Sequence, residues 1–170
     1  ELLADEKIEL VVVNTPNYTH YEFTKKALEA GKHVLVEKPF ATDVAQADEL
    51  IELARQKNLH LAVYQNRRWD SDFKTVKKII DAKRVGDIVE AEFHFDRFSE
   101  TLSVKQHKET PGPGAGILYD LGSHLIDQAL YLFGLPEQIF ADVAAMRPIS
   151  KVDDYFELLL DYGKFRVRLR

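Results

Sequence analysis

The chain has 170 residues, of which 45% are hydrophobic and 30% are charged, and its net charge is −5. This composition is ordinary for a globular protein, and the acidic balance argues against a nucleic-acid-binding surface. Cysteine is absent, which excludes disulfide frameworks and thiolate chemistry and fits a cytoplasmic location. No apolar run approaches the roughly 20 residues of a membrane-spanning helix, so we expect no membrane partner.

The first third of the chain alternates short apolar runs with amphipathic patterns. The runs predict strands at 8–14, 33–37 and 59–65, and the patterns predict helices at 21–31 and 44–58. Short valine-rich runs are typical of strands buried on both faces of a parallel sheet. Strand, helix, strand, helix, strand is the order of βαβ units, so this part is predicted to be α/β.

The rest of the chain has a different character. Helices are predicted at 70–86, capped by Asp70, and at 117–134, and strands at 87–97, 137–147, 154–162 and 164–170. A polar loop is expected at 98–115. These patterns favour an α+β domain with a mostly antiparallel open sheet. We therefore predict two partial domains, residues 1–66 and 67–170, and expect a fragment of a larger chain because both ends interrupt a pattern.

Two predicted strands of the first domain end in polar residues. Asn14, Thr15 and Pro16 follow the first strand, and "VLVEKPF" places Glu37 and Lys38 at the end of the second. Ligands of open parallel sheets bind outside the carboxyl ends of the strands. A lysine there could donate to a hydroxyl or phosphate and take part in proton transfer. The alternative is a surface ion pair followed by a turn proline.

A second candidate site is the pair Asp120 and His124. Residues four apart on a helix share a face, and a carboxylate one turn away can orient a histidine that acts as general acid or base. The alternative is a solvated helix face with an incidental pair. A metal site would need a third ligand at suitable spacing, which we do not find, so no metal is predicted. The small residues of "PGPGAG" before this helix would let backbone approach a ligand closely.

Two further segments could contact a ligand. "YQNRRWD" contains Asn66, Arg67 and Trp69, which could hold a phosphate or stack on a flat ring. Its alternative role is a linker whose arginines tie the two domains together. His20 could reach a cofactor from the start of its helix, or it could be a surface histidine.

Taken together, the motifs resemble those of one enzyme family. "VVVNTPNYTHYEFTKKALEAGKHVLVEKPF" resembles the second half of the nucleotide-binding domain of the Gfo/Idh/MocA oxidoreductases. "GILYDLGSHLIDQALYLFG" is similar to the helix of that family's second domain, with its Gly-x3-Asp-x3-His pattern. "YQNRRWDSDF" and "DYFELLLDYGKF" look most like the NADP-dependent scyllo-inositol dehydrogenase branch.

The resemblance implies a Rossmann-type domain that binds NADP, or NAD, and a second domain that binds a polyol or sugar and assembles homo-oligomers through its sheet. It implies that Lys38, Asp120 and His124 are catalytic. The implied cofactor-binding residues are Asn14, Thr15, Pro16, His20, Glu37, Lys38, Asn66, Arg67 and Trp69. In these roles, Lys38 would touch the nicotinamide ribose and the reacting hydroxyl, and His124 would exchange its proton.

The resemblance also has limits. The family's glycine-rich first turn is absent from this sequence, as is the residue that reads the ribose 2′ position, so we expect the fragment to be inactive. Two alternatives stay open: a non-catalytic ligand-sensing or scaffold protein, and a lyase or hydrolase that uses bound NAD as an internal redox relay.

Overall fold

The computed structural model describes residues 2–170, which divide into two compact units. The first unit extends to Tyr64, and the second runs from Gln65 to Arg170. No helix within residues 2–170 combines the length and the apolar character that crossing a membrane requires.

The first unit is a three-stranded parallel sheet with two connecting helices. Its elements are β1 (Leu10–Val13), α1 (His20–Glu29), β2 (His33–Glu37), α2 (Val44–Gln56) and β3 (Leu61–Tyr64). The strands lie in the order β1-β2-β3, with Val13 beside Val36 and Glu37 beside Tyr64. The predicted parallel sheet is thus confirmed, and its carboxyl ends lie at one edge.

Each helix of the first unit buries one side. On α1 the buried residues are His20, Thr24, Ala27 and Leu28, whereas Phe23 is 43% exposed. The buried side of α1 therefore begins at His20 and recurs at helical spacing, and Phe23 does not belong to it. On α2, whose first turn is capped by the Asp43 carboxylate, Leu50 and Ala54 are buried.

The second unit combines a mixed sheet with helices. Its elements are α3 (Ser71–Asp81), β4 (Glu90–Phe93), α4 (Gln106–Glu109), α5 (Ser123–Phe133), β5 (Gln138–Ala144), β6 (Tyr155–Asp161) and β7 (Arg166–Leu169). The strand order is β4-β7-β6-β5. The pairs β5–β6 and β6–β7 are antiparallel, and β4–β7 is parallel. The prediction of a mostly antiparallel open sheet is confirmed.

The core of the second unit lies between α5 and one face of this sheet. Leu125 and Ala129 of α5 are at most 1% exposed and cluster with the inward side chains of β6 and β7. Along β6 every second residue is buried, namely Phe156, Leu158 and Leu160, as expected for a strand with one covered face. This packing fixes the position of α5 on the sheet.

Candidate active site

In the first unit, the two candidate strand ends are brought together. Val13 of β1 pairs with Val36 of β2, and the residues that follow them in the sequence are Asn14 and Glu37. Thr15 and Pro16 continue from Asn14. Lys38 follows Glu37, whose carboxylate accepts the Lys38 backbone N–H at 3.2 Å, and the Lys38–Pro39 bond is cis. This edge therefore presents a carboxylate, an ammonium and a hydroxyl.

His20 joins the two segments that follow these strands. Its Nδ1 lies 2.7 Å from the carbonyl oxygen of Pro39, and its Nε2 lies 2.9 Å from that of Thr15. The side chain is 0% exposed, so the alternative of a surface histidine is wrong. The imidazole ring therefore faces a carbonyl oxygen on each side, one from each segment. His20 thus fastens the loop after β1 to the loop after β2.

In the second unit, Asn66–Trp69 forms a 3₁₀ turn whose Arg67 contacts two neighbours. Arg67 donates to the Asp70 carboxylate at 2.8 Å, and its guanidinium lies 5.7 Å from the centre of the Phe95 ring. Asp70 occupies the residue before α3, but its side chain makes no capping hydrogen bond, so the predicted cap is wrong. Its carboxylate instead accepts from Arg67. Trp69 is 73% exposed.

The second arginine of this segment is anchored to α5. Arg68 donates from Nε and Nη2 to the two carboxylate oxygens of Asp127, at 2.8 and 2.5 Å. The guanidinium also lies 4.7 Å from the centre of the Tyr131 ring. The hydrogen bonds that Arg68 donates to the Asp127 carboxylate raise the pKa of Arg68. Both arginines of the segment therefore have acidic partners within their own unit.

The helix that carries Asp120 and His124 differs from the predicted continuous α-helix. Leu118–Gly122 forms a π-helical turn, and α5 begins only at Ser123. Asp153 fixes this start: its carboxylate accepts the Leu118 N–H at 2.8 Å, and its backbone oxygen accepts the Ile117 N–H at 2.9 Å. A single wide turn of this kind is frequent at functional sites.

Gly116 allows Asp153 to come this close. Its φ is +89°, and a Cβ atom at this position would lie 1.9 Å from Oδ1 of Asp153. The small residues before the helix therefore do let a partner approach the backbone closely. In this structure that partner is the protein's own carboxylate, a role that the sequence pattern did not predict.

Asp120 and His124 have different surroundings. The Asp120 carboxylate lies 2.5 Å from Nζ of Lys108, and both side chains are about a quarter exposed. His124 is 6% exposed, its Nδ1 is buried, and its ring meets Phe95 edge-on with 6.4 Å between ring centres. Phe95 thus lies between the guanidinium of Arg67 and the imidazole of His124.

A cavity of about 660 Å³ opens beside Asp120 within the second unit. Three segments line it: the loop from Arg97 to Glu109, the stretch from Gly116 to Leu121, and the stretch from Met146 to Tyr155. His124 is not one of its lining residues. The cavity can take a small molecule with polar groups because its lining combines apolar surface with charged side chains.

Arg147 holds the loop side of this cavity. Its guanidinium donates to the backbone oxygens of Ser99 and Thr101 and to the carboxylate of Asp154. Burial alone would raise the pKa of Asp154. Hydrogen bonds from Ser150, from the Met146 N–H and from Arg147 outweigh that effect and hold this pKa well below its ordinary value.

Sequence reasoning missed four residues of this site: Phe95, Lys108, Arg147 and Asp153. Each acts on a partner far along the chain, as Asp153 does on Leu118, so periodicity could not reveal it. The only local sign of these four residues was the number of charged residues in and around the loop of residues 98–115. In the described range, 2–170, histidine, aspartate and glutamate form no group of three or more that could hold a metal ion.

Comparison with known proteins gives two family matches. The NAD-binding Rossmann-fold profile of the GFO_IDH_MocA oxidoreductase family matches residues 1–65, and the profile of a GFO/IDH/MocA C-terminal domain matches residues 73–169. Together these profiles span almost the whole chain.

Similar proteins match this chain along nearly its whole length. An oxidoreductase of Schizosaccharomyces pombe is 54% identical over 95% of this chain and 45% of its own length. The scyllo-inositol 2-dehydrogenase (NADP+) IolW of Bacillus subtilis is 43% identical over 99% of the chain and 47% of its own. The solved structure of the Bacillus subtilis oxidoreductase yvaA superposes with a TM-score of 0.91 at 42% identity, covering 98% of this chain and 47% of that one. The chain thus spans about half the length of the relatives it matches.

Proposed function

Because the chain belongs to the Gfo/Idh/MocA family of oxidoreductases, we propose that the full-length protein is an NAD(P)-dependent dehydrogenase. It oxidises a secondary alcohol of an inositol, a polyol or a sugar. One observation carries this proposal beyond membership of the family. The carboxylate of Asp120 lines a cavity that contains further charged side chains, and a buried histidine lies four residues later in the sequence. The similarity to a scyllo-inositol 2-dehydrogenase supports an inositol as substrate and NADP as cofactor.

The strand ends of the first unit offer donors and acceptors that fit a dinucleotide. The Glu37 carboxylate can accept from ribose hydroxyls, the Thr15 hydroxyl can bond a phosphate oxygen, and the Lys38 ammonium can donate to either. Their common edge is where ligands of open parallel sheets bind. Asn14 and Pro16 shape the first loop, and Asn66, Arg67 and Trp69 are further candidates from the 3₁₀ turn. His20 acts on this edge through the loops that it fastens. When bound, the nicotinamide supplies the hydride acceptor.

The protein's residues supply the acid–base chemistry. The Lys38 ammonium donates to the carbinol oxygen and so stabilises the negative charge that develops as its proton leaves. Since Nδ1 of His124 is buried, we assign the exchange of that proton to Nε2. Asp120 accepts a hydrogen bond from a substrate hydroxyl, and the edge contact with Phe95 limits rotation of the imidazole.

The test uses the full-length protein with NADP+ or NAD+ and a panel of inositols, polyols and sugars, followed by absorbance at 340 nm. We expect turnover with at least one of them. Lys38→Ala and His124→Ala should each lower kcat by about 100-fold or more, the weight of a general acid–base group. The matched controls are Lys26→Ala and His60→Ala, which change an exposed lysine and an exposed histidine.

The outcomes separate the alternatives. Near-wild-type rates in both variants would overturn the catalytic assignment. Cofactor binding with no turnover on any alcohol would favour the sensor or scaffold. Product formation from tightly bound cofactor, with no net release of reduced nicotinamide, would favour the lyase or hydrolase.

A further inference from the structure

The cavity of the second unit has one cationic residue that is fixed beside the substrate-binding carboxylate. Lys108 lies in α4, in the middle of the polar loop, and both it and Asp120 line the cavity. Its Nζ lies 2.5 Å from Oδ1 of Asp120. The ammonium and the carboxylate are 23% and 24% exposed, so each can still meet a ligand.

The backbone around Lys108 is tied to the start of the catalytic helix. The Lys108 N–H donates to the Lys105 oxygen at 2.9 Å, and the Lys108 oxygen accepts the Gly116 N–H at 3.0 Å. Gly116 is in turn in contact with Asp153, which fixes the helix start. Lys108 therefore does not depend on a flexible loop for its position, because its main chain is bonded next to the turn that carries Asp120.

The ion pair fixes its two groups against each other at the cavity wall, since each side chain is about three-quarters buried. As a binding element the pair is well matched to a polyol. An ammonium offers only donors, and a carboxylate offers only acceptors, whereas each hydroxyl both donates and accepts. Two neighbouring hydroxyls can therefore be held at once, one by each group, without removing the attraction between the two charges.

We propose that Lys108 is a substrate-binding residue which, with Asp120, recognises a vicinal diol of the substrate. This inference rests on the proposed function and deepens it. The substrate class becomes polyols and cyclitols that carry a second hydroxyl next to the one held by Asp120. Simple secondary alcohols and analogues that lack this neighbour should bind poorly.

The test compares Lys108→Met, which keeps the length of the side chain and removes the charge, with Lys108→Arg, in the full-length protein. Lys164→Met is the matched control, because Lys164 is exposed in the turn between β6 and β7 and does not line the cavity. The readouts are kcat and KM, the Kd of scyllo-inositol for the NADP+-loaded protein by calorimetry, and the Kd of NADP+ itself.

We expect Lys108→Met to raise the Kd and KM for scyllo-inositol by about 10-fold or more, the weight of a hydrogen bond to a charged group. The Kd of NADP+ should not change, Lys108→Arg should recover part of the loss, and Lys164→Met should match the wild type. With cyclohexane-1,3,5-triol, which has no two hydroxyls on neighbouring carbons, the wild type should bind weakly, and Lys108→Met should cause little further loss.

Two results would overturn the inference while leaving the dehydrogenase proposal intact: an unchanged Kd for scyllo-inositol in Lys108→Met, or an equal loss with scyllo-inositol and cyclohexane-1,3,5-triol. Failure of the proposed function looks different, because the wild type would then oxidise no alcohol in the panel. The calorimetric Kd tests Lys108 in that case as well, and absence of any polyol binding to the wild type would overturn both proposals.

Discussion

Single residues of this chain act by joining segments that are distant in sequence. His20 is the example in the first unit, because its two ring nitrogens face the carbonyl oxygens of Thr15 and Pro39. Sequence reasoning noticed His20 but could not choose between a surface position and a ligand contact. His20 is buried because its ring contacts the loop after β2, and sequence spacing does not reveal that contact.

His20→Ala should weaken both folding and cofactor binding in the full-length protein. The buried carbonyl oxygen of Pro39 and the part-buried one of Thr15 would lose their contacts with the ring, at a cost of about 1 to 3 kcal/mol in the free energy of unfolding. The KM for NADP+ should rise more than the KM for the polyol, since the fastened loops carry Thr15, Glu37 and Lys38. Urea denaturation and steady-state kinetics measure the two effects.

His20→Gln has a single donor group at its tip, so it should restore only part of the affinity for NADP+. His60→Ala, which removes an exposed ring, serves as the control and should change neither quantity appreciably. Equal changes in the KM of cofactor and polyol would mean that His20 has a general structural role only.

Elements were predictable where a local pattern decides the structure. The strand at His33–Glu37 was found at its true bounds because a valine-rich run between Gly31 and Pro39 has few other options. The helix that contains Asp120 was found, but its π-helical turn was not, because the turn depends on Asp153. The loop of residues 98–115 is likewise held by Arg147, which sequence spacing could not connect to Ser99 and Thr101.

Gly116→Ala should disturb the start of this helix. The added methyl would collide with the Asp153 carboxylate, and φ at this residue is in the left-handed region, so we expect a loss of about 2 kcal/mol or more. The polyol KM should rise in the full-length protein because the turn carries Asp120. Chemical denaturation and kinetics provide the measurements.

Gly112→Ala is the matched control in the same loop, since the nearest atom to its new methyl would be 3.9 Å away. It should behave like the wild type. Equal stability of the two variants would show that Asp153 can move aside without cost. Asp153 would then not fix the start of the helix.

At the scale of the whole molecule, the sheet of the second unit has one covered face and one uncovered face. α5 packs on the face of Phe156, Leu158 and Leu160. The other face carries Phe140, which is 64% exposed and pairs with Leu159, together with ion pairs of Arg168 to Glu92 and Glu157. Exposed aromatic side chains and arginine are enriched at interfaces between protein subunits.

We therefore expect the full-length protein to be a homo-oligomer through this face. Phe140→Glu would place a carboxylate in the interface and should lower the mass measured by light scattering toward that of a monomer. Phe98→Glu is the control, because Phe98 is 88% exposed on the loop of the same unit. A wild type that is monomeric at all concentrations would contradict the expectation.

The contact between Gly116 and Asp153 also constrains how this lineage can change. Position 116 has no room for a side chain as long as position 153 keeps its carboxylate. A substitution at position 116 alone is therefore unfavourable. Among homologues, we expect bulkier residues at the first position to appear only together with a shortened residue at the second. The two sites should therefore be inherited as a coupled pair, even though α5 and β5 separate them along the chain.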